Sequence, residues 1–203
     1  FPEVGSVTTY DSTSFCPDSA STATSIATGH KTESGVINMC PWTRDVPYET
    51  IAEKLHAQKN YKVGVVSSVN IDHATPAAFY AHQAKRSNYY EIGQELVASN
   101  FEYFAGGGLL KPTGPDKDKT SLYDLAADAG YKVVMTQAEA EAVTSADGKV
   151  LIIDEHLADS DAFAYENDRA DGNWALSDYV KKGIEVLDND TGFFLMVEGS
   201  QLD

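Results

Sequence analysis

The sequence predicts an α/β fold built on a mostly parallel sheet, and three observations carry that prediction. Helical patterns alternate with short apolar runs along the whole chain, the pattern of βα units. The run at residues 193–198 is almost continuously apolar, as a strand covered on both faces is, and residues 61–67 also read as a buried strand. Polar clusters follow three of the strands: Asp72-His73-Ala74-Thr75, Gly106-Gly107-Gly108 and residues 198–203. In parallel sheets the functional sites lie beyond the carboxyl ends of the strands.

The elements follow in order. Residues 6–15 are rich in Ser and Thr and read as loop. A run of small residues from Ala20 to Thr28 reads as a helix, with Asp18 or Ser19 as its start and Gly29 at its end. Residues 31–44 are irregular, punctuated by Gly35, Pro41 and Trp42. Residues 47–60 predict a helix opened by Pro47, with Ile51, Ala52 and Leu55 on one face. Residues 61–67 form the first strand. Pro76 then opens a helix running to about residue 84, and residues 89–99 form another. Strand 101–105 ends in three glycines, which let the backbone turn tightly. A polar Pro/Gly loop at 111–119 precedes helix 121–129, strand 131–134, helix 137–143 and strand 149–154. Helix 171–188, carrying Trp174, Tyr179, Val180, Ile184 and Leu187, leads to the last strand.

The chain has 203 residues and 42% apolar content, enough for one domain with a real core. It contains no repeat, no dividing linker and no apolar run long enough to span a membrane. Residues 1–5 carry neither a basic nor an apolar leader region, so no signal peptide is expected there. The net charge of −16 argues against a nucleic-acid backbone or an anionic membrane as partner. It would also repel a phosphate, so local cations would have to reverse the field at any phosphate site. Cys16 and Cys40 allow one disulfide without demanding it; a buried free thiol suits Cys16 equally.

The stretch Pro17-Asp18-Ser19-Ala20-Ser21-Thr22-Ala23-Thr24 places a serine at the first turn of a helix. Free N–H groups and the positive end of the helix dipole stabilise anions there, phosphate among them. Taken alone, the stretch is an ordinary capped helix. No G-x-S-x-G elbow is present, and the triple glycine is no phosphate-binding Walker loop because no Gly-Lys-Ser/Thr follows. Glu198 ends a strongly apolar strand, a costly place for a carboxylate unless it is paired or metal-bound. His30, His56, His82 and His156 have no metal-ligand spacing to a partner and are assigned no role.

Three motifs together are specific. Pro17-Asp18-Ser19-Ala20-Ser21-Thr22-Ala23-Thr24, then His73-Ala74-Thr75-Pro76-Ala77 followed by Arg86, then Val197-Glu198-Gly199 followed by Asp203, resemble alkaline phosphatases in kind and order. The likeness runs from Asp11 to Asp203. It implies a three-layer α/β/α sandwich, with residues 1–203 as a single partial catalytic domain. It implies phosphate monoester hydrolysis through a phosphoserine, with two zinc ions and one magnesium. Ser19 would be the nucleophile and a zinc ligand; a free serine hydroxyl is a poor nucleophile and needs such activation. Arg86 would clamp the phosphate with its planar fork, oriented by Asp18. Thr75 and Glu198 would ligate magnesium, and Asp203 zinc. His73 stands where members of the family carry Asp or His. Aspartate there favours magnesium, whereas a histidine nitrogen admits zinc or cobalt or acts through a bound water.

The family pattern also includes an aspartate-bearing first strand and further zinc-binding histidines and an aspartate after Asp203. The chain therefore reads as an interior segment of such an enzyme. Small phosphate monoesters, a homodimer and a periplasmic or extracellular setting follow from the resemblance. Two other functions compete: a phosphodiesterase or sulfatase of the same superfamily, and a catalytically incomplete segment that only folds or weakly binds metal or phosphate. Sulfatases want a Cys/Ser-x-Pro-x-Arg context that Ser19 lacks, and the diesterases commonly use threonine.

Overall fold

Five parallel strands make one sheet in the order β3-β4-β2-β1-β5, in a computed structural model that describes residues 2–159 and 161–200. The strands are β1 (Lys62–Ser67), β2 (Tyr103–Gly106), β3 (Tyr131–Val134), β4 (Lys149–Ile153) and β5 (Phe193–Glu198). The helices are α1 (Ser19–Thr28), α2 (Ile51–Lys59), α3 (Ala74–Ala77), α4 (Tyr89–Ser99), α5 (Leu122–Asp128), α6 (Gln137–Glu141) and α7 (Leu176–Leu187).

Strand residues alternate between two cores, because successive side chains in a strand point to opposite faces. Val63, Val65, Phe104, Leu151 and Met196 face a layer formed with α1, α3, α4 and α5. Val66, Tyr103, Ala105, Val150 and Ile152 face α7, through Tyr179, Val186 and Leu187. The sheet therefore lies between two helical layers, the α/β fold expected. Close approach of α7 depends on Gly183, where an added Cβ would fall 2.8 Å from the Tyr103 ring. The Tyr103 hydroxyl donates to Tyr179 O across the same contact (2.7 Å).

Several boundaries differ from the sequence expectation, each for a local reason. The helix expected at 47–60 begins at Ile51, because Thr50 and Glu53 form a reciprocal capping box. Pro47 instead bridges Met39. Of the three residues expected on its inner face only Ala52 is buried; Ile51 is exposed. The helix expected to open at Pro76 is the short α3, which starts at Ala74. The Asn38 side-chain amide binds Ala78 O and Ala81 O, taking carbonyls that a longer helix would use. Helix α7 starts at Leu176 rather than near 171, where the Asp178 carboxylate caps Ala175 N. Cys16 is exposed and Cys40 half-buried, and both are free thiols.

The triple glycine serves close approach more than turning. Only Gly108 has a positive φ, +104°, whereas a Cβ on Gly107 would meet Asp161 O at 1.9 Å. The Gly107 N–H donates to Val69 O and the Ile71 N–H to Gly108 O, so these glycines brace the loop after β1. His82, assigned no role from sequence, lies between Glu53 of α2 and Glu95 of α4, each with an oxygen 3.4 Å from a ring nitrogen. Burial opposes its charge, but hydrogen bonds and the charges of the two glutamates outweigh that and push its pKa up to about 9.

Two outcomes follow for stability. Gly107→Ala should lose about 1–3 kcal/mol in urea unfolding, as overpacking against a fixed backbone does, whereas Gly5→Ala, with open space around it, should change nothing. The raised pKa of His82 means its ion pairs stabilise the fold fully below its unfolded value of about 6.5 and fade as pH rises through 9. The stability gap between wild type and His82→Gln should therefore shrink over that window, and a gap independent of pH would contradict the pairing.

Candidate active site

The N-terminus of α1 is built by Asp18. Its backbone is extended (φ −93°, ψ 177°) and its carboxylate accepts from Ser21 N, so it is the N-cap. Gly29 closes the helix in the left-handed region at φ 77°, donating to Ser25 O. Ala20, Ala23 and Ala27 are buried, and their small size lets α1 lie against α3. Ser19, the first helical residue, is left exposed at the positive end of the helix.

Arg86 reaches the same point from the segment after α3. Its backbone N–H donates to Gly35 O (2.7 Å). Nη1 donates to Asp18 Oδ2 at 3.0 Å, and Nη2 lies 3.1 Å from His73 Nε2. A guanidinium only donates, so His73 Nε2 is the acceptor in this contact. Asp18 is thus bound on both oxygens. Burial pushes its pKa up, but hydrogen bonds from Ser21, Gly35 and Arg86 pull it below the usual carboxylate range.

The loop after β1 carries His73, the N-cap of α3, and Thr75. It is anchored by Asp72, which is fully buried and accepts from Leu110 N (3.0 Å) and Asn70 Nδ2. Burial pushes Asp72 up to about 6 against these bonds. Glu198 arrives on β5, in register with Ser67 at the end of β1. Ser67 Oγ donates to Glu198 Oε2 at 2.7 Å and lies 3.1 Å from Ser200 Oγ.

Pro17, Asp18, Ser19, His73, Thr75, Glu198, Gly199 and Ser200 line one open cleft of about 490 Å³. Six of the seven residues singled out from sequence therefore converge: five line the cleft and Arg86 binds two of them. Asp203 lies outside the described residues. Of the three strand-end clusters, the first and residues 198–200 of the last contribute to the cleft, while the glycines support it from behind. Sequence reasoning missed Ser67 and Gly35. Ser67 was legible as the final residue of a buried strand; nothing local marked Gly35, which acts only through its backbone.

Thr75 and Glu198 offer oxygen donors to the cleft, a set that fits magnesium, which uses one or two carboxylates and keeps several waters. Zinc wants three or four protein ligands. Among the described residues no three His, Cys, Asp or Glu side chains converge to hold a metal, so these residues alone do not make a zinc site.

Comparison with known proteins points to one family. A sequence model of the alkaline phosphatase family matches residues 1–203. Alkaline phosphatase 4 of Bacillus subtilis (strain 168) is 32% identical over 193 residues, spanning 92% of this chain and 39% of the relative. The alkaline phosphatase of Schizosaccharomyces pombe is 28% identical, spanning 98% of this chain and 40% of the relative. The cold-active alkaline phosphatase of a psychrophilic Shewanella species superposes with a TM-score of 0.81 at 29% identity, over 98% of this chain and 47% of that one. A His-to-Glu variant of the alkaline phosphatase TAB5, with magnesium bound in its M3 site, gives 0.80 at 30% identity, over 96% of this chain and 54% of that one. The chain thus spans about two-fifths to half the length of these relatives.

The cap and the exposed serine separate experimentally. Asp18→Ala should lose about 1 kcal/mol of stability, typical for an N-cap. Ser19→Ala should stay within about 0.5 kcal/mol of wild type, as exposed positions do. Chemical denaturation of both variants checks this; a large loss at Ser19 would make it a structural residue.

Proposed function

Because the chain belongs to the alkaline phosphatase family, we propose that it provides the nucleophile and the phosphate clamp of a phosphomonoester hydrolase that works through a phosphoserine. The observation that supports this most directly is Ser19, exposed at the N-terminus of α1, in the cleft where Asp18 holds Arg86 at 3.0 Å.

Ser19 Oγ attacks the phosphorus in line with the ester oxygen. The new Oγ–P bond forms as the bond to the leaving oxygen breaks, the serine proton passes to solvent, and the departing alkoxide takes a proton from water. A water molecule then cleaves the phosphoserine, returning Ser19 and inorganic phosphate. Asp18 and His73 each engage one of the five N–H donors of Arg86, so one further N–H on each terminal nitrogen can meet a phosphoryl oxygen. That guanidinium and the positive end of α1 supply local positive charge within a chain of net charge −16.

Thr75 and Glu198 would hold magnesium, with Ser67 fixing the carboxylate and His73 beside the site. A bound magnesium would supply Lewis-acid charge and oriented water. Two zinc ions, with Ser19 and Asp203 among their ligands, complete the proposal on family grounds; the described residues form no zinc set, and no step here depends on them. Residues 1–203 are read as part of one catalytic domain, acting on small phosphate monoesters, as a homodimer and in a periplasmic or extracellular setting. Among the described residues no helix is long and apolar enough to cross a membrane.

In the full-length protein, Ser19→Ala should eliminate acid-stable covalent phosphate and lower turnover by more than about a thousandfold. Chelation should abolish turnover, and Glu198→Gln should lose the activation that wild type regains with magnesium. Covalent phosphate retained by Ser19→Ala would refute the proposal, and preference for diesters over monoesters would move the chain to the neighbouring chemistry.

A further inference from the structure

Asp11 is only 3% exposed, lies seven residues before the N-cap of α1, and has no part in the chemistry above. Its Oδ1 accepts from Thr13 N (2.8 Å) and Ser14 N (2.6 Å). Its Oδ2 accepts from Ser34 Oγ, and Ser21 Oγ lies 3.1 Å away. Ser21 Oγ is also 3.1 Å from Asp18 Oδ1 and 3.2 Å from Asp18 O, so one hydroxyl lies within hydrogen-bond reach of both carboxylates. Ser34 precedes Gly35, whose carbonyl accepts the Arg86 N–H (2.7 Å) and whose N–H donates to the Asp18 carboxylate.

Asp11 therefore ties together the two segments that hold Arg86. Through Ser21 it reaches the cap residue that binds the guanidinium. Through Ser34 it holds the turn that binds the backbone of Arg86. We propose that Asp11 is a positioning residue for phosphate binding, locking the α1 N-terminus and the turn at Ser34-Gly35 at the separation that lets Asp18 aim Arg86; this rests on Arg86 being the phosphate clamp. A carboxylate suits the task because every partner is a donor, and an ionised carboxylate only accepts. Burial pushes its pKa up, yet the hydrogen bonds from Ser34, Thr13, Ser14 and Ser21 hold it down at about 2, so it stays ionised through the working range of any such enzyme. In Asn the amide NH2 would face donors on one side, leaving the lock half made.

The test is inhibition by inorganic phosphate and steady-state kinetics on a simple aryl phosphate, with full-length protein. Asp11→Asn should raise both KM and the phosphate inhibition constant by about tenfold, the effect of misplacing one charged hydrogen bond, with a smaller change in kcat. Ser21→Ala removes only the link to Asp18 and should do the same, which decides the matter if Asp11→Asn does not fold. Combined with Arg86→Ala, either substitution should add little, because both act through that guanidinium. Unchanged phosphate affinity with a lowered melting temperature, or effects that multiply with Arg86→Ala, would overturn the positioning role. If Arg86→Ala itself leaves phosphate affinity unchanged, the clamp is wrong and the inference falls with it.

Discussion

The carboxylate of Asp18 does two jobs that meet at one point. One oxygen closes the first turn of α1; the other receives the guanidinium of Arg86 from 68 residues further along the chain. Because both oxygens are engaged, the start of the helix and the arginine cannot move independently. Ser19 is the next residue, so its position relative to Arg86 is set by the same contact. Burial would favour protonating this carboxylate, but the donors around it keep it ionised, and an ionised cap is what a guanidinium needs opposite it.

Sheet register provides the second half of the cleft. The parallel pairing of β1 and β5 runs in step from Lys62↔Phe193 to Ser67↔Glu198, so a hydroxyl and a carboxylate arrive side by side at the carboxyl ends of two strands. A one-residue slip would send Glu198 to the opposite face, into the layer of α7. The loop that leaves β1 carries His73 and Thr75 back over this edge, held by the buried Asp72 and by Gly106 and Gly107, where an added Cβ would crowd backbone atoms. The site thus combines a helix terminus, two strand ends and one braced loop, each fixed by its own local bonds.

Helix ends were the least legible part of the chain. Pro47 and Pro76 are plausible helix openers, but a capping box at Thr50 and Glu53 outweighed the first, and α3 had already begun two residues before the second. The limit on α3 comes from Asn38, distant in sequence, whose amide takes two of its following carbonyls. His82 showed no spacing to a partner because Glu53 and Glu95 lie on different helices, and only folding brings both to its ring.

The sequence by itself determined the fold class, the order of strands and helices, and the residue types available for phosphoryl chemistry. Alternating apolar runs, a small-residue helix behind Asp18-Ser19 and a carboxylate ending an apolar strand are all local patterns, readable within a few residues. Arg86 with Asp18 was expected from the family motifs, whereas tertiary structure alone decided the other partners: Ser67 with Glu198, Arg86 with His73, Asp11 with Ser21 and Ser34. Those pairings depend on strand order, on register and on turns that act through their backbones. None of these leaves a mark on neighbouring residue types, since a hydrogen bond across the fold constrains where two atoms lie rather than which residues stand beside them.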